Sequence, residues 1–118
     1  MDVEYNIIYI DKIIPNQPPE KDTGNKEYKR LLYKTNNMKY VNKKATQMLY
    51  RIMEGNGKAT YLIGIDDDGK AIGITMAELN ETLSIIKQIS NIIKANIKKI
   101  IIYKSKNNNN IMSIRIIK

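Results

Sequence analysis

Apolar residues recur along this chain with two different periods, and each change of period marks an element boundary. In residues 40–54, Val41, Ala45, Met48, Leu49 and Ile52 fall on one side of a helix, the spacing of an amphipathic helix that packs on a core. Residues 75–95 repeat the pattern with Leu79, Leu83, Ile86, Ile89 and Ile93. Thr75 and Glu78 open that second helix as a capping box: the hydroxyl accepts from the Glu78 amide, and the carboxylate reaches back to the amide of Thr75. Gly55 ends the first helix as a residue free to take positive φ. Lys94 complements the dipole near the end of the second.

Period two takes over elsewhere. Residues 58–65 alternate, with Ala59, Tyr61, Ile63 and Ile65 on one side. Asp67-Asp68-Gly69 is a tight turn, so residues 70–74 are expected to return as the second strand of a hairpin. Residues 27–34 read as a strand near a sheet edge. Residues 97–103 and 111–117 are rich in β-branched side chains and form two more strands, joined by the polar stretch 104–110, a flexible hairpin loop without function. Residues 3–14 suit a short strand or an ordered arm before Pro15, Pro18 and Pro19 stop it; the alternative is a disordered tail. The expected order is (β)-β-α-β-β-α-β-β. That is an α+β fold, a two-layer α/β sandwich with a mixed or antiparallel sheet and two helices on one face. Residues 1–25 form an N-terminal arm and Pro-containing loop, and residues 26–118 a single α/β domain.

Composition narrows the class. A chain of 118 residues with 42% apolar content can bury roughly two-thirds of its unfolded surface. No run of about 18 apolar residues is present, so no membrane partner is expected, and the first residues lack the basic start of a secretory leader. The absence of cysteine excludes disulfides and thiolate metal sites and is compatible with a cytoplasmic location. The net charge is +8, and it is unevenly placed. Residues 1–81 hold all 12 acids and 12 of the 20 basic residues, whereas residues 82–118 hold eight basic residues and no acid. A face of one sign attracts phosphate over a Debye length of about 8–10 Å.

With neither His nor Cys, a Ser-His-Asp triad, a Cys-His pair and a zinc-bound water are excluded. No GxxxxGK[ST] or GxGxxG pattern occurs: Lys70 is followed by Ala71. The chain is therefore expected to be no enzyme by itself, with no catalytic, cofactor-binding or metal residue. Asp66-Asp67-Asp68 reads as a hairpin turn, with Mg²⁺ or Ca²⁺ binding as the alternative. Glu54-Gly55-Asn56-Gly57 reads as a structural turn, with a phosphate-cradling nest of amides as the alternative. The candidate binding surface is the basic third: Lys87, Lys94, Lys98, Lys99, Lys104, Lys106 and Arg115, with Tyr103 able to stack on a base. A solvated lysine-rich surface is the competing interpretation.

One set of residues carries a family resemblance, covering about residues 26–103. It comprises Glu27-Tyr28-Lys29, Thr46-Gln47-Met48, Arg51, Glu54-Gly55, Gly57, Ala59, Tyr61, Ile63-Gly64, Asp67, Gly69 and Gly73. These look like the N-terminal accessory domain that precedes the GTPase core in GTPBP-type, elongation-factor-like GTP-binding proteins. The resemblance implies a non-catalytic part of a translational GTPase, with GTP and Mg²⁺ bound elsewhere in the parent protein and no cofactor in this chain. With the basic third, RNA or the ribosome is the expected partner. The alternative is a protein-interaction module that docks on the chain's own GTPase domain through an apolar, Tyr-bearing sheet face left bare by the helices and binds no nucleic acid. Residues 63–73 also resemble the strand-turn-strand of Schlafen/AlbA-type domains, which are associated with nucleic acids.

Overall fold

The computed structural model describes residues 6–118, so the first part of the N-terminal strand expected at 3–14 lies outside the described residues. Five strands and two helices follow in the order β1 (Asn6–Ile13), β2 (Lys26–Lys29), α1 (Met38–Glu54), β3 (Lys58–Ile63), α2 (Met76–Ile92), β4 (Asn96–Lys104) and β5 (Asn110–Ile117). The sheet order is β1-β4-β5-β3-β2. β1 runs parallel to β4 and β2 parallel to β3, while β5 is antiparallel to both of its neighbours. The expected α+β fold with a mixed sheet is the observed one. Two crossovers build it: α1 links the adjacent strands β2 and β3, and α2 links β3 to β4 with β5 inserted between them.

Both helices lie on one face. Val41, Ala45, Met48 and Ile52 of α1 and Leu79, Leu83, Ile86 and Ile89 of α2 share one core with Ala59, Tyr61 and Ile63 of β3 and with Ile100, Ile102, Met112, Ile114 and Ile116 of β4 and β5. The Thr75 capping box forms as expected, with both reciprocal bonds present.

Three local expectations are corrected. Residues 70–74 do not form a return strand; only the isolated bridges Ile65–Ala71 and Ile74–Asn110 occur. β3 is already flanked by β2 and β5, so a returning strand has no free edge to pair with. Positive φ at Gly64 and Gly73 bends the chain away instead. The strand expected at 27–34 is only Lys26–Lys29. Beyond it Leu32 turns into the core, and its amide and carbonyl bond the buried Thr82 hydroxyl of α2 at 3.1 and 3.2 Å. Gly55 has φ −99°, and positive φ falls on Asn56 and Gly57. Gly55 is required for a different reason: an added Cβ would lie 1.9 Å from the Lys58 carbonyl oxygen.

The stretch 104–110 is an ordered turn. The Ser105 amide donates to Asn109 O and the Asn108 amide to Ser105 O, both at 3.0 Å. Asn110 is buried and its side chain donates to Ile74 O at 3.1 Å.

Candidate nucleic-acid interface

Successive side chains of a strand point to opposite faces, so the register determines what stands on the face without helices. One row crosses four strands there: Lys26 of β2 pairs with Thr60 of β3, Thr60 with Arg115 of β5, and Arg115 with Lys99 of β4. At about 4.8 Å between strands, the row spans roughly 14 Å. Two residues further along each strand the character changes, to Tyr28, Leu62, Ser113, Ile101 and, on β1, Ile8. A third row holds Tyr103 opposite Ile111.

The far end of this face is walled by the segment that joins β1 to β2. The Ile14 amide donates to Lys104 O at 2.8 Å, Gln17 to Gly69 O at 2.7 Å and Glu20 to Asp67 O at 2.8 Å. Ile14, Leu62, Ala71 and Tyr103 pack there around Tyr28, Ile65 and Ile111. A depression of about 90 Å³ lies over Thr60, Lys99, Ile101, Ser113 and Arg115. A second, of about 280 Å³, runs from Lys26, Thr60 and Ser113 to Tyr103 and the Ile14–Gln17 wall. They share Thr60 and Ser113 and form one trough.

No acid stands in these rows. Lys99 and Arg115 face each other directly, an arrangement that like charges make unfavourable. Among the described residues neither has an ion-pair partner. A bound anion would relieve that repulsion.

The other cations of the basic third are dispersed. Lys98 is the extra residue where the β4–β5 register shifts between Ile97 and Lys99. Lys104 ends β4 and donates to Asn110 Oδ1 at 3.2 Å. Lys106 is exposed in the turn before β5, Lys94 follows α2 with φ 57°, and Lys87 sits on α2 in the helical layer. The structure thus brings Lys99, Tyr103 and Arg115 to one face and leaves Lys87, Lys94 and Lys106 outside that trough. Sequence reasoning missed Lys26, Thr60 and Ser113. Their alternation is visible in the chain, but which strands stand side by side is not.

The motif residues Glu27 and Arg51 serve the fold. Arg51 is buried, and its Nε donates to Glu27 Oε1 at 2.9 Å. Its other nitrogens donate to the carbonyls of Lys21, Thr23 and Gly24 at 2.9–3.0 Å. Lys29 Nζ lies 3.2 Å from the other Glu27 oxygen. This guanidinium ties the 21–24 loop to α1: four of its five N–H groups are spent on the protein, and Nη2 also lies 3.9 Å from Glu20 Oε2. Burial pushes the neighbouring Glu20 carboxyl up, against the bond it accepts from the Tyr28 amide. Burial, and then the Glu27 charge, pushes the Tyr61 phenol up as well.

The glycine turns do not fit a nucleotide phosphate. The amides of Gly55, Asn56, Gly57 and Lys58 donate to Arg51, Met53, Ile52 and Gly55 carbonyls. Those of Gly64, Asp66, Gly69 and Gly73 donate to carbonyls too, and that of Lys70 to Asp68 Oδ1 at 3.1 Å. The glycine amides of both turns are thus turned to the protein's own carbonyls and not aimed together at an anion. Among the described residues no group of three or more acidic side chains is placed to hold a metal ion, and Asp66–Asp68 share their surface with Lys29 and Arg30. No described helix is long and apolar enough to cross a membrane.

Fold and face together define a small α+β domain with a basic, helix-free sheet surface. No family model matches the chain. It is similar to GTP-binding protein 2 of Mus musculus and of Homo sapiens, 34% identical to each over 83 residues. That match covers 70% of this chain but only 14% of those proteins. It is also 36% identical over 86 residues to an uncharacterized protein of Acanthamoeba polyphaga mimivirus, across 72% of this chain and 46% of that one. The chain thus spans less than half the length of the relatives it matches, and the likeness is to one segment of a GTP-binding protein.

Proposed function

We propose that this chain is a non-catalytic domain of an elongation-factor-like GTP-binding protein and presents its open sheet face to RNA, on the ribosome or free, in the cytoplasm. The observation that carries this reading is the acid-free row Lys26–Thr60–Arg115–Lys99. Cations held at strand spacing neutralise backbone phosphates without reading sequence, and flanking hydroxyls donate to phosphate or sugar oxygens. The partial likeness to GTP-binding protein 2 supports the GTPase context, and turns whose glycine amides donate to the protein's own carbonyls support a role apart from nucleotide hydrolysis.

The test is a salt titration of binding to a ribosomal RNA fragment, for the wild type beside Lys99→Glu/Arg115→Glu and Lys98→Glu/Lys99→Glu. Affinity should fall with a log–log slope of about −0.7 per neutralised phosphate of a single strand, and both charge reversals should weaken binding. Curves identical to wild type, or no binding at low salt, would overturn the proposal.

A second reading has its own observation. The edge strand β1 exposes Ile7, Ile8, Tyr9, Ile10 and Ile13, an apolar edge of the kind that proteins ordinarily cover. Docking against the parent protein's GTPase domain would cover it. Loss of RNA binding together with capture of the isolated GTPase domain would favour this alternative.

A further inference from the structure

We infer that the trough on the open face takes a single-stranded nucleic acid and excludes a duplex, with a backbone phosphate over Lys99 and Arg115 and a base lodged on the apolar row toward Tyr103. This rests on the proposed RNA-facing role and specifies its ligand. The cation row and the apolar rows lie on the same face in register, Lys99, Ile101 and Tyr103 succeeding one another along β4. The step between rows is about 6.6 Å, so Tyr103 stands roughly 13 Å from Lys99. A strand laid along β4 therefore meets charge first and apolar surface next.

Duplex binding does not account for the second half of that surface. A duplex keeps its base faces stacked inside and offers phosphates, sugars and groove edges. An unpaired base offers a π-face to an aromatic or apolar floor. Leu62, Ile101 and Tyr103, each partly exposed, form such a floor, with Thr60 and Ser113 hydroxyls between it and the cations. The wall at Ile14–Gln17, pinned to Lys104 and Gly69, closes the far end. It leaves a trough that one flexible strand can follow and a rigid cylinder cannot enter.

The experiment measures fluorescence anisotropy of the full 118-residue chain with a labelled oligouridine, the matching oligodeoxyuridine and a blunt RNA duplex. The variants are Tyr103→Leu and Ile101→Thr on the apolar rows, Lys99→Gln/Arg115→Gln on the cation row, and Lys87→Gln/Lys106→Gln outside the trough. Circular dichroism melts check that each variant is folded. Single strands should bind more tightly than the duplex. Tyr103→Leu should weaken them by about 5- to 100-fold with the salt slope unchanged, while Lys99→Gln/Arg115→Gln should reduce the slope by about 0.7 for each phosphate released. A preference for uridine over deoxyuridine would add hydroxyl recognition to the site, and equal affinity would restrict it to phosphate and base. Duplex affinity equal to that of single strands, or folded Tyr103→Leu and Ile101→Thr variants binding like wild type, would overturn the inference while leaving the RNA role standing. Loss of binding in Lys87→Gln/Lys106→Gln alone would do the same. No binding to any of the three probes at low salt would overturn both.

Discussion

Arg51 shows how much of one side chain's chemistry is consumed by the fold. It has no water to fall back on, and Glu27, at 1% exposure, has none either. Truncating one member of such a pair leaves a buried charge without its partner. Arg51→Ala is therefore expected to cost about 3–5 kcal/mol, measured as a drop in the urea midpoint, with Lys29 at 3.2 Å from Glu27 drawing the loss toward the lower figure. Arg51→Met/Glu27→Leu should recover much of it, because it removes both charges at once. A loss under about 1 kcal/mol would mean that the pair contributes no more than a surface ion pair.

Glu78 supplies a second prediction at the same scale. The bonds it accepts from the Thr75 amide, and then from the Thr75 hydroxyl, hold its carboxyl below its ordinary value of 4.5. A depressed folded pKa means that the unfolded chain binds the proton more readily. The stabilisation is thus complete above the ordinary carboxylate value and is lost as pH falls through the lowered one. The raised Glu20 carboxyl works with the opposite sign, since its stabilising effect is lost as pH rises. The Glu78 contribution is therefore read as a difference. The gap in urea midpoint between wild type and Glu78→Gln should be widest near neutral pH and shrink on acidification. A gap independent of pH would refute it. Thr75→Ala removes the cap outright, at about 1 kcal/mol.

Among the elements, α2 buries one full face in the core, with Ile85, Ile86 and Ile89 almost fully buried. Ile86→Ala should open a cavity and cost about 2–5 kcal/mol. Leu83, at 8% exposure, should fall in the lower part of that range, because the site can partly refill with water. Equal unfolding midpoints for wild type and Ile86→Ala would remove α2 from the core. The bend that replaces the expected return strand offers a separate test. Gly73 has φ 79°, and an added Cβ would meet Ser105 Oγ at 2.6 Å and Asn109 Cβ at 2.7 Å. Gly73→Ala should destabilise the protein and loosen the turn before β5, seen as faster amide exchange at Ser105 and Asn110. Unchanged exchange would show that the turn holds without this contact.

At the scale of the whole molecule the two faces of one sheet have separate tasks. Helices seal one face into a core, and the other carries cations, hydroxyls and a short apolar floor. Nothing in that division supplies a nucleotide site, since the glycine amides of both turns are spent on protein carbonyls. Equilibrium dialysis with GTP and Mg²⁺ should therefore find no saturable binding by this chain at micromolar concentration. Specific binding would require a phosphate cradle that the glycine turns of the described residues do not form.

Local patterns were enough to determine both helices and the strands β3, β4 and β5, though not every strand. The 3.6-residue recurrence of Val41, Ala45, Met48 and Ile52, the Thr75–Glu78 box and the β-branched runs at 97–103 and 111–117 act within a few residues of chain, so the α+β class and both helices could be read from them. Pairing between distant segments decided the rest. Because β5 inserts between β3 and β4, the residues expected to return beside β3 had no edge to occupy, and Leu32 left its strand to reach Thr82 fifty positions away. The same pairing set the candidate site. The excess of lysine after residue 81 was visible in the chain, but only strand register aligned Lys99 with Arg115, Thr60 and the distant Lys26. A shift of one residue would have turned each of these side chains into the core.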